Sequence, residues 1–362
     1  MLNLGAISNF YIFTIIMKKL FLVFIAVFSF IAQASAQSSV MATLHHDGDI
    51  KTFYGTTALR RAHEEAAHGD IITLSSGAFV STDITKAITL RGAGMGLDSI
   101  SGTEPTMING DFKITMPNDS TMNGNTLTME GIFHDGDICY MNYLNNPQFI
   151  KCNLNKIYQA NTYSIHNATF IHCLIRETLD IENGSASLFN CYVNDPWLNY
   201  TTSASYEFQN CVIRSDKLDK IRNSLFRNCF IYSLASGGNY FNYISAFSSA
   251  FNCVGFKTSG TIKMFVNMRN SSNKEVSSVS EVFKTWTGEK LGATSLRTEK
   301  LELKDDAKTK YLGNDRTQIG IYGGSIPFVA SPSNPQITKL NVASKSTADG
   351  KLSVDIEVKA AE

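Results

Sequence analysis

The sequence predicts an all-β chain wound as a solenoid, on three observations. Six cysteines, Cys152, Cys173, Cys191, Cys211, Cys229 and Cys253, recur at intervals of 21, 18, 20, 18 and 24 residues. Their surroundings repeat a template of apolar, any, Asn, Cys, any, aliphatic, clearest in Phe208-Gln-Asn-Cys-Val-Ile213 and Phe226-Arg-Asn-Cys-Phe-Ile231, with Lys or His for Asn in the first two copies and a degraded last one, Ala250-Phe-Asn-Cys-Val-Gly255. The composition, with 23 Phe and 14 Tyr among 362 residues, favours strands over long helices. A near-constant period with strand-type alternation in every copy marks coils that bury their apolar faces only by stacking on one another.

In chain order, the amino terminus reads first as an address. Met17-Lys18-Lys19, the apolar run Leu20 to Ile31 and Ala34-Ser-Ala36 are the three parts of a secretory signal peptide, with cleavage expected after Ala36. Residues 1–16 resemble translated upstream sequence, and Met17 is the expected start. The apolar run is short for a membrane span and no second long one follows, so no span is expected after cleavage. The expected locations are the periplasm, the cell surface or the medium. The 32 basic and 32 acidic residues leave no bulk field to gather nucleic acid, which is not an expected partner.

Thr57 to Ala67 reads as a short helix, with Leu59, Ala62 and Ala66 on one face and Gly69 as its stop. Strands follow at Asp70–Leu74, around Phe79, at Ala87–Leu90, Thr106–Ile108, Phe112–Met116 and Thr126–Gly131, keeping roughly the coil period. In the coils, each Cys stands one strand spacing above the last, about 4.8 Å. Stacked Cβ vectors run parallel and do not meet, so free, buried thiols are expected and not disulfides. A zinc site needs four converging ligands, which a linear ladder does not supply, so no metal is expected there. Asn190, Asn210, Asn228 and Asn252 precede four of the cysteines, with Lys151 and His172 in the two earlier coils. Asn tolerates turn backbone and bonds amides along a stack, so these read as a structural ladder. The periodicity fades after Phe256. Ser331-Pro-Ser-Asn-Pro335 reads as a stiff linker, and the alternation of Leu352, Val354, Ile356 and Val358 beyond Asp349-Gly350 as one arm of a terminal hairpin. The expected division is residues 1–36 as signal peptide, 37–330 as the coiled domain and 331–362 as a hairpin or small β appendage.

A helix ending in Ala67-His-Gly-Asp70, then a strand, Gly77-Ala-Phe79 and Ile88-Thr-Leu-Arg-Gly92, resembles the opening of right-handed, single-stranded parallel β-helix proteins of the pectin-lyase-like superfamily. The resemblance covers residues 45 to 256 and more loosely extends to Gly324. Asp315 to Pro327 is similar to the closing segment of exported β-helix proteins of the Bacteroides type. The resemblance implies a helix capping the open end of the stack and carries fold more than activity. Enzymes of that superfamily act mostly on acidic polysaccharides. Lyases hold calcium with clustered Asp and take the proton with Lys or Arg, and hydrolases pair two Asp as acid and base. Neither pattern stands out as a string, so a cofactor is expected only as calcium and only for a lyase.

Three sets of residues remain as candidates for chemistry. Asp135 and Asp137 flank Gly136, and Asp180 lies two coils later; with Lys156 and Arg176 in neighbouring coils they form the catalytic candidates if the chain is a polysaccharide lyase or glycoside hydrolase on uronic-acid polymers. Polar turns and solvated strand faces produce the same pattern. Tyr192, Trp197 and Tyr200 are the candidate ligand surface, because aromatic rings pack on sugar faces and Pro196 breaks the strand beside Trp197. A covering loop would show the same residues. The third set is the Cys and Asn ladder. The expected function is an exported β-helix that meets a polysaccharide or cell-envelope glycan; the rivals are the enzyme and a structural or adhesive surface rod. Convergence of the acids with Lys156 and Arg176 favours the enzyme, an exposed aromatic strip the binder and a smooth polar exterior the rod.

Overall fold

The computed structural model describes residues 40–96, 103–117, 122–160, 163–181, 184–197, 205–215, 218, 221, 223–234, 248–258, 263–265, 271–292, 298–331, 336–343, 345–347 and 349–359. The signal-peptide expectation and Tyr200 fall outside these residues. The chain is nearly all β and forms a parallel β-solenoid of about eight turns, ended by an antiparallel hairpin. No helix among the described residues is long and apolar enough to cross a membrane.

Three main sheets run along the solenoid, each taking at most one parallel strand from a coil, and Leu144–Asn145 with Ile165–His166 forms a further two-stranded parallel sheet. Sheet A holds, in spatial order after two leading strands, Ile71–Leu74, Thr89–Arg91, Thr128–Glu130, Gln148–Ile150, Ala168–Ile171, Ser185–Phe189, Ser205–Gln209, Leu225–Arg227 and Ser249–Phe251. Its leading pair, Met41–His46 and Asp49–Tyr54, is an antiparallel hairpin added at the end. Sheet B runs from Gly77–Val80 to Lys274–Glu275, and sheet C holds Phe112–Ile114, Asp137–Tyr140, Lys156–Gln159, Leu179–Asp180 and Pro196–Trp197. Helix α1, Ala58–Glu65, turns Ala58, Leu59 and Ala62 onto the first coil.

Parallel register puts like residues on like. Phe149 and Phe170 stack with ring centroids 4.7 Å apart and planes 6° from parallel, the geometry of a strand repeat read through its side chains. All six ladder cysteines are fully buried and free. Each thiol points at the carbonyl two residues back, as Cys229 does to Arg227 at 3.1 Å, and five of them also reach a carbonyl one coil earlier, as Cys173 does to Phe149 at 3.2 Å. Cys suits this place because it is small, apolar and still a weak donor. Burial pushes the Cys152, Cys191, Cys229 and Cys253 thiols up, away from the reactive thiolate.

The residue before each of these cysteines turns the chain from sheet A into sheet B in one step. Lys151, His172, Asn190, Asn210, Asn228 and Asn252 all have φ between 49° and 56°. Asn adopts that left-handed conformation more readily than other residues with a side chain. The sequence reading had their side chains bonding one another along the stack, and the structure corrects this. Four of them hold a returning segment of the same chain. After covering sheet B, residues 311–331 run back along the corner toward the amino-terminal coils. Asn228 exchanges bonds with Asn314, Asn190 donates to the carbonyls of Ile321 (2.8 Å) and Gly323 (2.7 Å), His172 meets Ile326 O at 2.9 Å, and Lys151 donates to Ser331 O at 3.0 Å. Gly324 is required here: its φ is +81°, and a Cβ would lie 2.0 Å from the Asn210 amide.

The same return buries the outer face of sheet B. Trp286 packs edge-on against Phe283 at 4.9 Å and Phe230 at 6.0 Å, and against Tyr192 at 6.5 Å. Tyr192 is therefore wholly buried under Trp286 and belongs to this second core, which removes it from the candidate ligand surface. Strands buried on both faces read as continuous apolar runs, here Phe230-Ile-Tyr232 and Val212-Ile213. The terminal hairpin pairs Gln336–Val342 with Val354–Lys359 and leaves Val354, Ile356 and Val358 about half exposed.

Two outcomes are expected from this packing. In the folded chain the six ladder thiols stay silent to Ellman's reagent and all titrate after denaturation; pairwise disulfides by mass spectrometry would contradict it. Gly324→Ala should lower stability in urea by about 2–4 kcal/mol, because it adds a clash to the left-handed strain. Gly350→Ala has φ +79° but meets nothing within 4 Å, and should cost only about 1 kcal/mol.

Candidate functional site

With sheet B covered, the sequence candidates lie on sheet C and on its corner with sheet B. Two outward rows cross the coils of sheet C. Parallel register sets Asp137 beside Lys156, with Asp111 below: the Asp137 amide donates to Asp111 Oδ1 at 2.8 Å. The second row aligns Lys113 with Cys139, Cys139 with Tyr158, and Asp180 with Trp197. The pairing of Ile157 with Leu179 brings Tyr158 next to Asp180, so the two halves of this row are continuous. The corner that precedes these rows is tight. Gly136 lies against Gly110, where a Cβ would come within 2.4 Å of the Gly110 carbonyl, so only glycine lets Asp135 and Asp137 flank this turn.

Lys156 is the centre of the cluster. Its Nζ is 3.7 Å from Asp137 Oδ2 and 4.0 Å from the centroid of the Tyr158 ring, so the ammonium bridges a carboxylate and an aromatic face. Asp137 is steadied from the other side by Asn155 Nδ2 at 2.9 Å. Burial, and then the hydrogen bond with the Cys139 thiol, push the Tyr158 phenol up, so at neutral pH it is a hydroxyl that both donates and accepts. Acceptors, a cation, a hydroxyl and a ring thus lie within two strand spacings. Such a surface can hydrogen-bond the hydroxyls of a flat, polar ligand and pack one apolar face. Trp197 extends the same row in the backbone register.

Arg176 stands apart from this surface. Its side chain is 6% exposed; Nε donates to Asn153 Oδ1 at 2.8 Å and an Nη to the His134 carbonyl at 2.7 Å. The guanidinium also packs over Phe133, 5.1 Å from the ring centroid, while Asp135 reaches it only at 3.9 Å and is itself half exposed. Arg176 is a strut that joins three coils at the corner of sheets B and C. The structure thus brings Asp137, Lys156 and the strand position of Asp180 onto one face, and places Asp135 and Arg176 at its edge. Sequence reasoning passed over Asp111 and Cys139 as members of this face, and has Tyr158 only as one of several coil-loop aromatics suited to a sugar. Counting two residues along each strand from Asp137 and Lys156 places Cys139 and Tyr158 here.

No family model matches the chain, and no curated protein and no solved structure matches it.

Arg176→Ala should destabilise the chain by about 2–4 kcal/mol in urea titration, since it strips two buried acceptors of their donor. Asp135→Ala, which breaks only the exposed contact, should cost under about 1 kcal/mol. Equal, small losses in both variants would show that Arg176 is not a strut.

Proposed function

We propose that this chain is an exported β-helix of the pectin-lyase-like, Bacteroides type that binds a polysaccharide or cell-envelope glycan along the outer face of sheet C. The observation that carries the reading is the adjacency of Asp137, Lys156, Tyr158 and Asp180 on successive coils of one sheet. A glycan presents hydroxyls at sugar spacing and an apolar ring face. Carboxylates and a phenol answer the first, and an aromatic ring answers the second. Alternating signs along the row, Asp137 against Lys156, suit a hydroxyl-rich ligand better than a highly charged one, because no single sign dominates.

The same adjacency supports a second reading, a polysaccharide lyase or hydrolase on uronic-acid polymers, with Lys156 as the basic group and Asp137 and Asp180 as the carboxylates. Arg176 does not enter it, because its guanidinium is held by Asn153 and the His134 carbonyl.

One pair of measurements separates the two. Purified chain without its first 36 residues is applied to a glycan array, and its Tyr158→Ala and Lys156→Ala variants alongside. Absorbance of unsaturated products is followed on uronic polymers with added calcium. Binding that falls by roughly tenfold in Tyr158→Ala, with no product formed, is the expected result. Product formation abolished in Lys156→Ala would replace binding by catalysis. Silence in both assays would leave the structural rod.

A further inference from the structure

The corner ladder has one rung that the returning segment does not reach. Asn252 has the same left-handed backbone as the other rungs, φ 52°, yet among the described residues its side-chain amide makes no hydrogen bond. The chain bends at Leu312–Asp315 and meets the ladder first at Asn228, where Asn314 takes up both ends of the Asn228 amide. Between that bend and the end of sheet A lies a cavity of about 430 Å³ lined by Arg227, Asn228, Phe251, Asn252 and Asn314. It falls in the size range of small-molecule sites, about 300–1,000 Å³.

The lining has a definite chemistry. Phe251 ends the last described strand of sheet A and stands in register beside Arg227, with 40% of its surface exposed. An exposed phenyl ring at a cavity wall offers an apolar platform. The free Asn252 amide supplies a donor and an acceptor side by side, the pattern that two neighbouring hydroxyls match. Arg227 adds further donors, but its charge is already met by Glu207 at 3.5 Å. An anion would have to displace that carboxylate, whereas a neutral hydroxyl can share the guanidinium with it.

We propose that this cavity binds a neutral hexopyranose, as a free sugar unit or the end of a chain, with its C–H face on Phe251 and a vicinal pair of hydroxyls on Asn252. The site lies on sheet A and does not depend on the reading of sheet C. Neighbouring rungs lack the site because the returning segment occupies them. Among the described residues of the ladder, only Asn252 keeps both an unpaired amide and open space.

The test uses saturation-transfer NMR on the full chain with the methyl α-glycosides of glucose, galactose and mannose and with glucuronic acid. Two variants leave the fold unburdened: Phe251→Ala removes an outward ring, and Asn252→Gly suits the left-handed backbone. Transfer to at least one neutral glycoside is expected, stronger than to glucuronic acid, and weakened roughly tenfold in each variant, the size of one good contact. Gly350→Ala, in the terminal hairpin and outside both faces, should leave it unchanged. The proposal is overturned if no neutral glycoside shows transfer, if both variants retain it in full, or if glucuronic acid gives the stronger signal. Loss of transfer in Tyr158→Ala but not in Phe251→Ala would move the sugar to sheet C, sparing that reading and refuting this one.

Discussion

In each of the six cysteine coils the chain turns out of sheet A at a single residue, and that residue is forced into the left-handed region with φ near +50°. The rest of the molecule follows from this constraint. It selects Asn at four of six positions. It drops the next side chain straight into the core, where only a small residue fits and where Cys can also satisfy two nearby carbonyls. It also leaves the corner side chains pointing outward in a column, at one strand spacing per step, ready to hold a chain that runs along the axis.

That column turns a solenoid with three equivalent faces into one with a covered face and two open ones. The returning segment takes the corner and sheet B, together with Trp286 and Phe283, so the outer residues of sheet B become core. Among the described residues, sheets A and C remain to meet a ligand. The side chains that hold the segment change as it travels. The short Asn amide serves at residues 228 and 190, and the longer His172 and Lys151 serve where the segment has moved farther on. A ladder of identical residues was not required for one continuous clasp.

The coil was legible in the sequence because its cause is local: each period carries its own turn residue, its own Cys and its own inward apolar residue, a Phe in four of the six. The return was not, because its contacts join residues more than 80 apart and obey no period, as with Asn228 and Asn314. Tyr192 was misjudged for the same reason. Its exposure depended on Trp286, about ninety residues further on, although the unbroken apolar run of Phe230-Ile-Tyr232 already signalled a sheet buried on both sides. Two-step spacing pairs Asp135 with Asp137, but the turn at Gly136 falls between them and leaves only Asp137 on the strand; Lys156 is legible as a base in the neighbouring coil. Arg176 could not be told from a surface cation by spacing, because its burial is set by where the corner falls.

The stack itself can be measured as a ruler. Thr128 and Ser249 are 121 residues apart in sequence, but register places them in one outward row of sheet A, six strand steps from each other. Spin labels at these two positions, read by pulsed electron resonance, should give one narrow distance near about 29 Å, and labels at Thr128 and Ser187 about half of it. A broad distribution, or a distance that does not scale with the number of steps, would mean that the coils are not stacked in this order.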